Sequence, residues 1–118
     1  LFVKATLALQ NGNNKEAIGF LDSVIEAEPS FSEAWNKRGD AWLNAGDIDH
    51  ALADYEVALQ LNPYHYGVMQ SCASIWMERS NARNAYNYLS QAMAINPNLD
   101  YLIPVIVDLE ARLENDRI

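Results

Sequence analysis

The side chains from which chemistry could be built are few and far apart. Asp40 and Asp108 suggest an acid and base pair, His50 and His65 a metal, Cys72 a thiol nucleophile, and Trp35, Trp42 and Trp76 an aromatic ligand cage. Each has a structural reading that suits its surroundings better. Cys72 falls on the core-facing side of a helical pattern, where a cysteine behaves as a small buried hydrophobe. His50 sits in the first turn of a helix and His65 in a link, and no further ligand can be nominated beside them. The two aspartates read as solvated or hydrogen-bonded carboxylates. The tryptophans recur at helix-packing spacing and are assigned to the core, so that Trp42→Ala or Trp76→Ala should cost about 3–5 kcal/mol if the ring is fully buried. The sequence has no glycine-rich phosphate loop, no Cys or His pair at metal spacing and no nucleophile elbow. The expectation is a protein that is not an enzyme and takes no cofactor or metal.

The elements that would position these residues come from a period of 34. Pro29, Pro63 and Pro97 align under it, as do Ala17, Ala51 and Ala85, and Ala5, Gly39 and Ala73. Repeat one, 1–31, lacks its first residues, because Leu1 falls where Trp35 stands one period later; its first helix is read as truncated or partly upstream. Gly12 breaks the pattern, and Asn13 with Glu16 three residues on predicts a capping box. The helix it opens runs to about Ala27, with Ile18, Leu21, Val24 and Ile25 on its buried stripe and Asp22 and Glu26 in water. Repeat two, 32–65, opens with Ser32 as a predicted cap, turns at Gly46-Asp47 and closes at Asn62-Pro63. Gly39 and Ala51 are small where its two helices cross, and Trp42 and Tyr55 fill the volume around them. Repeat three, 66–99, carries Met69, Cys72, Ala73 and Trp76 in the corresponding places, with Ser80-Asn81 in place of Gly46-Asp47, and Ala85, Leu89, Ala92 and Met93 buried.

From Asp100 to about Asn115 the spacing predicts one more helix, part of a capping segment 100–118, with Pro104 tolerated in its first turn. Leu102, Val105, Ile106, Leu109 and Leu113 form one stripe, while Ile103 and Val107 lie off it. Two readings stay open: a wide stripe packing between neighbouring helices, or a homodimer or partner contact through this end.

Half of the 118 residues are apolar, enough for one domain with a core. Sixteen acidic residues against eight basic ones give a net charge of -8, spread along the chain. Without clustered Lys and Arg, binding to nucleic acid or to an anionic membrane surface is not expected. The longest apolar run, 101–107, contains Pro104 and is far short of the roughly 20 residues of a membrane helix. A single cysteine says nothing of redox compartment, and the start at Leu1 leaves upstream sequence and localisation open.

The order Trp35, Gly39, Trp42, Gly46, Ala51, Tyr55, Ala58, Pro63 resembles the tetratricopeptide (TPR) repeat, a helix-turn-helix unit of 34 residues. The resemblance implies an all-α, right-handed superhelical solenoid of three repeats plus a C-terminal capping helix, a single domain over 1–118. It also implies a protein-interaction scaffold whose first helices line a concave groove for a peptide or partner protein. The groove places in such a stack select Thr6, Asn36, Lys37, Asp40, Leu43, Gln70, Ser71, Ser74 and Met77, flanked by Phe2, Leu9, Gln10, Glu33, Asn44 and Glu78. Side-chain amides such as Asn36 and Gln70 can bond both the N–H and the C=O of an extended chain, and Leu43 and Met77 supply an apolar pocket. The co-chaperones of this family grip a C-terminal carboxylate with Lys and Asn, then Asn, then Lys and Arg. This chain offers Phe2 and Thr6, Lys37, then Gly67 and Ser71, or one repeat along Asn36 and Asp40, Ser71, then Tyr101 and Val105, and neither frame makes that clamp.

A looser resemblance, through AWNKRGDAWL, ALADYEVALQLNPYHYG and the final ENDRI, is to uncharacterised bacterial TPR proteins with an EPRHFG-type segment, whose Glu and Arg are here Asn62 and Tyr64. The alternative function is a structural or homo-oligomerisation segment of a larger protein, using the apolar last helix. An accessory domain of an enzyme whose catalytic part lies elsewhere is a further one.

Overall fold

The computed structural model describes residues 1–116, and these are helical throughout apart from short links. Arg117 and Ile118, the last residues of ENDRI and of the predicted capping segment, lie outside the described residues. The helices are α1 Phe2–Gln10, α2 Asn14–Ala27, α3 Ser32–Asn44, α4 Ile48–Leu61, α5 Tyr66–Glu78, α6 Ala82–Ile95 and α7 Ile103–Asn115, with a 3-10 helix over Pro97–Leu102 before the last. They gather into two compact units, Leu1–Pro63 and Tyr64–Ile118.

The same turn closes each hairpin. Gly12, Gly46 and Ser80, one period apart, all adopt positive φ, at 77°, 87° and 58°. The next N–H returns to the carbonyl five residues back, from Asn13 to Ala8, from Asp47 to Trp42 and from Asn81 to Trp76, at 2.8–2.9 Å. This left-handed closure satisfies carbonyls at the helix end and favours glycine, which has no Cβ to crowd. Ser80 adopts it at a steric cost. The following helix is then capped by Asp47, which accepts from the His50 N–H at 3.2 Å, and by Asn81, which accepts from the Asn84 N–H at 3.0 Å.

Two expected caps are corrected. Asn13 precedes α2 but makes no side-chain capping bond, so the capping box with Glu16 does not form. Ser32 is the first residue of α3 and not its cap; its hydroxyl donates to the Ala58 carbonyl at 3.0 Å, tying the start of α3 to α4.

In the first unit α1, α2 and α3 enclose Ala5, Leu21, Ile25 and Ala34, with Phe2, Phe20, Val24, Phe31 and Trp35 packed around them. α3 crosses α4 with no room to spare. A Cβ added at Gly39 would stand 2.7 Å from the ring of Tyr55, which is fully buried. The close approach is therefore between Gly39 and Tyr55, with Ala51 buried beside it. In the second unit Leu109 of α7 joins Ala73, Ala85 and Leu89, with Trp76, Leu102 and Ile106 around them.

Three further expectations change. Trp35, Trp42 and Trp76 are half-buried and line the edges of the core instead of filling it. Trp42 stacks on exposed His50 at 4.6 Å, and Trp35 donates its indole N–H to the Pro29 carbonyl at 2.8 Å. The last helix begins at Ile103 and not at Asp100, because Pro97 opens a 3-10 turn with a kink at Leu99. Val105, placed on the packing stripe of α7, is exposed.

One feature has no counterpart in the expected core. Arg38 of α3 forms a two-pronged ion pair with Asp54 of α4, at 2.7 and 2.9 Å, and reaches Asp22 of α2 at 3.0 Å. Asp54 is 5% exposed. Its two carboxylate oxygens match the planar guanidinium, whose pKa is raised first by the hydrogen bond to Asp54, against the opposing effect of burial.

Candidate functional site

The nine residues selected as groove residues lie on α1, α3 and α5. On the first unit Thr6, Lys37, Asp40 and Leu43 come together. With Leu9, Gln10 and Asn44 they line one depression of about 360 Å³ between α1 and α3. These positions meet because residues three and four apart share a helix face.

Several of these groups are already oriented. Asp40 accepts the Tyr55 hydroxyl at 2.6 Å, so its carboxylate is fixed from behind by a buried ring. Lys37 stands 4.0 Å from Glu33 one turn earlier, a partly exposed pair that a ligand can outcompete. The Thr6 hydroxyl donates to the Phe2 carbonyl of its own helix, leaving its methyl and lone pairs to the depression. Asn36 differs from the others. It is 9% exposed, its amide donates to Glu33 at 3.0 Å, and it does not line the depression. It offers no open amide for a peptide backbone.

On the second unit Gln70 donates to the Tyr101 hydroxyl at 2.9 Å, and Ser71 donates to the Gly67 carbonyl at 3.2 Å. Ser74 is exposed. Met77 lines a separate depression of about 240 Å³ with Ser80, Ala82, Val105, Asp108, Leu109 and Arg112. The α7 residues here were not selected from the sequence, because the period fades after Pro97.

Cys72 is buried at the core of α5, His50 bonds Asp47 at 2.7 Å on the surface, and Asp108 pairs with Arg112 at 3.0 Å. His65 accepts from the Val68 N–H at the start of α5. Among the described residues no three His, Cys, Asp or Glu side chains stand together as a metal site. Among them, too, no helix is long and apolar enough to cross a membrane.

Residues 2–66 match the tetratricopeptide repeat family model. The chain belongs to the tetratricopeptide repeat family. A TPR repeat-containing protein of Rhizobium etli is 30% identical over 77 residues, which are 65% of this chain and 38% of that protein. Human tetratricopeptide repeat protein 6 is 25% identical over 100 residues, 85% of this chain and 19% of its own length. The chain thus spans well under half of these TPR relatives. Among solved structures, MamA superposes with a TM-score of 0.79 at 18% identity, over 85% of this chain and 58% of MamA. The Yersinia enterocolitica type III secretion chaperone SycD, in complex with a peptide of the translocator YopD, superposes with a TM-score of 0.78 at 15% identity, over 97% and 87%. These likenesses place the chain among all-α TPR proteins.

Proposed function

We propose that this TPR chain binds an extended peptide or a segment of a partner protein in the groove that the first helices of its repeats line, with Thr6, Lys37, Asp40 and Leu43 as contacts on the first unit and Gln70, Ser71, Ser74 and Met77 on the second. The observation that carries the reading is the depression between α1 and α3. It juxtaposes an ammonium, a fixed carboxylate, two amides and two leucines within about 360 Å³. Such a mixture suits a peptide, whose backbone needs both donors and acceptors and whose side chains need an apolar seat. The peptide-bound state of SycD, a protein of the same fold, supports this reading. Residues 1–118 act in it as one domain of three repeats and a closing helix.

The test is capture from a cell lysate with the wild-type chain and a Lys37→Glu, Leu43→Asn variant that melts at the same temperature. A partner held by the wild type and lost by the variant is the expected result. Partners held equally by both would move the binding surface away from α1 and α3.

A second reading has one observation in its favour. Ile103 and Val107, four residues apart on α7, are both exposed apolar side chains. They suit a structural or homodimeric contact through the last helix. Light scattering across a hundredfold range of concentration should then show a dimer that Val107→Glu dissociates.

A further inference from the structure

The two depressions are related by the repeat itself. Advancing Leu9, Lys37, Asp40 and Asn44 by two 34-residue periods gives Met77, Val105, Asp108 and Arg112. The first four line the depression between α1 and α3, and the second four line the depression between α5 and α7. The sequence period fades at Pro97, yet α7 stands where the first helix of a further repeat would stand. It buries Leu109 against Ala73, Ala85 and Leu89, with Leu102 and Ile106 alongside. Val105, Asp108, Leu109 and Arg112 of α7 line the depression with Met77.

The replacements change the chemistry. Lys37 becomes Val105, so an aliphatic side chain stands where the first depression has its cation, and the cation of the second is Arg112. Met77 and Val105 remain 38% and 36% exposed, with Ala82 and Leu109 beside them. Asn44 becomes Arg112. Asp40 is held by the buried Tyr55 hydroxyl, whereas Asp108 is held by Arg112 in an i,i+4 pair at 3.0 Å, both side chains more than 60% exposed. Such exposed pairs are weak and exchange readily. The space of about 240 Å³ is below the roughly 300–1,000 Å³ of drug-sized ligand sites and suits a single side chain.

We infer that the depression between α5 and α7 is a second recognition pocket, which takes one aliphatic side chain of a peptide against Met77 and Val105 and pairs an adjacent Lys or Arg of that peptide with Asp108. This rests on the peptide-binding reading above and names the ligand chemistry at one end of it. Charge complementarity selects the cation: the chain carries a net charge of -8, and Glu78 is exposed next to Met77. The summed field therefore draws in basic segments and repels acidic ones. The incoming cation replaces Arg112 at Asp108, and Arg112 turns to solvent.

The experiment is an NMR titration of the full chain, with labelled methyl groups and amides, against three nine-residue peptides on one Gly-Ser background. The first carries a central Leu-Lys, the second Ala-Lys and the third Leu-Glu. The Leu-Lys peptide should shift the Met77, Val105 and Leu109 methyls, with affinity at least fivefold above the other two. Val105→Arg, at an exposed position, should abolish those shifts without changing the melting temperature, and Asp108→Asn should narrow the gap between the Leu-Lys and Leu-Glu peptides. Shifts at Leu9 and Leu43 alone would overturn this pocket while sparing the wider function. Equal binding of the Leu-Glu peptide, or no shift at millimolar peptide, would also overturn it. So would Met77 and Val105 signals that move with protein concentration alone, since a second copy would then occupy the site.

Discussion

At the scale of single residues, the contacts most sensitive to change are those where the repeat departs from its own pattern. Gly39 lies under the Tyr55 ring at a distance no side chain tolerates, and that ring is pinned by its bond to Asp40. Gly39→Ala should therefore destabilise by about 1–2 kcal/mol, the overpacking cost exceeding the gain in helix propensity, and urea denaturation would measure it. Arg38→Met would leave Asp54 buried and unpaired, for a loss of about 3 kcal/mol in the same assay. Adding Asp54→Leu should restore most of it. Because the hydrogen bond and charge of Asp54 raise the pKa of Arg38 in the folded state against the opposing effect of burial, its contribution is complete below its unfolded pKa and lost only as pH rises through the higher folded value. Between pH 6 and pH 9 it should add no slope to the stability curve. Ser80→Gly should do the opposite of the first two changes. Relief of a left-handed serine, less the greater freedom of glycine in the unfolded chain, should raise stability by about 0.5–1 kcal/mol.

At the scale of elements, the helices were legible wherever a residue type forces the backbone. Asn-Pro ended α4 and α6, and glycine at positive φ ended α1 and α3. What the sequence concealed was the use of polar side chains in the interior. Arg38 is one period from buried Cys72, and Asp54 is one period from Phe20 and Tyr88, which pack at core edges. Neither charge alone suggests burial; only their geometry as a pair makes it tolerable. Asn36 was misread for a related reason, since periodicity gives the face of a helix but not the depth at which a neighbour covers it. The tryptophans show the same limit. Trp42 is half-buried and stacks on exposed His50, so Trp42→Ala should cost about 2 kcal/mol, below the figure for a fully buried ring. Leu109→Ala should cost about 2–4 kcal/mol, because it removes the one fully buried side chain of α7.

At the scale of the whole molecule, the period announced the family and the number of hairpins, while the composition excluded little beyond basic-surface functions. The first depression was legible as columns: all seven residues around it belong to the expected groove places and their flanks, and its use as a binding site is the proposal. The last helix was not, because a fading period hides which face of α7 continues the pattern. Recognition that depends on Asp40 and Asp108 in a chain of charge -8 should weaken with salt, so raising ionic strength from 50 to 500 mM should reduce the affinity of a basic peptide several-fold.

Repeat proteins commonly come apart one unit at a time, since each hairpin touches only its neighbours. The guanidinium of Arg38, bound at once to a carboxylate of α2 and to one of α4, works against that tendency. Its bonds cannot be kept by half of the first unit, so fraying of one hairpin forfeits an interaction of the next. Residues 1–63 should consequently open as a single cooperative block, with the slow-exchanging amides of α2 and α4 sharing one opening free energy. Arg38→Met should weaken that coupling and leave the shared core of α1, α2 and α3 to carry it.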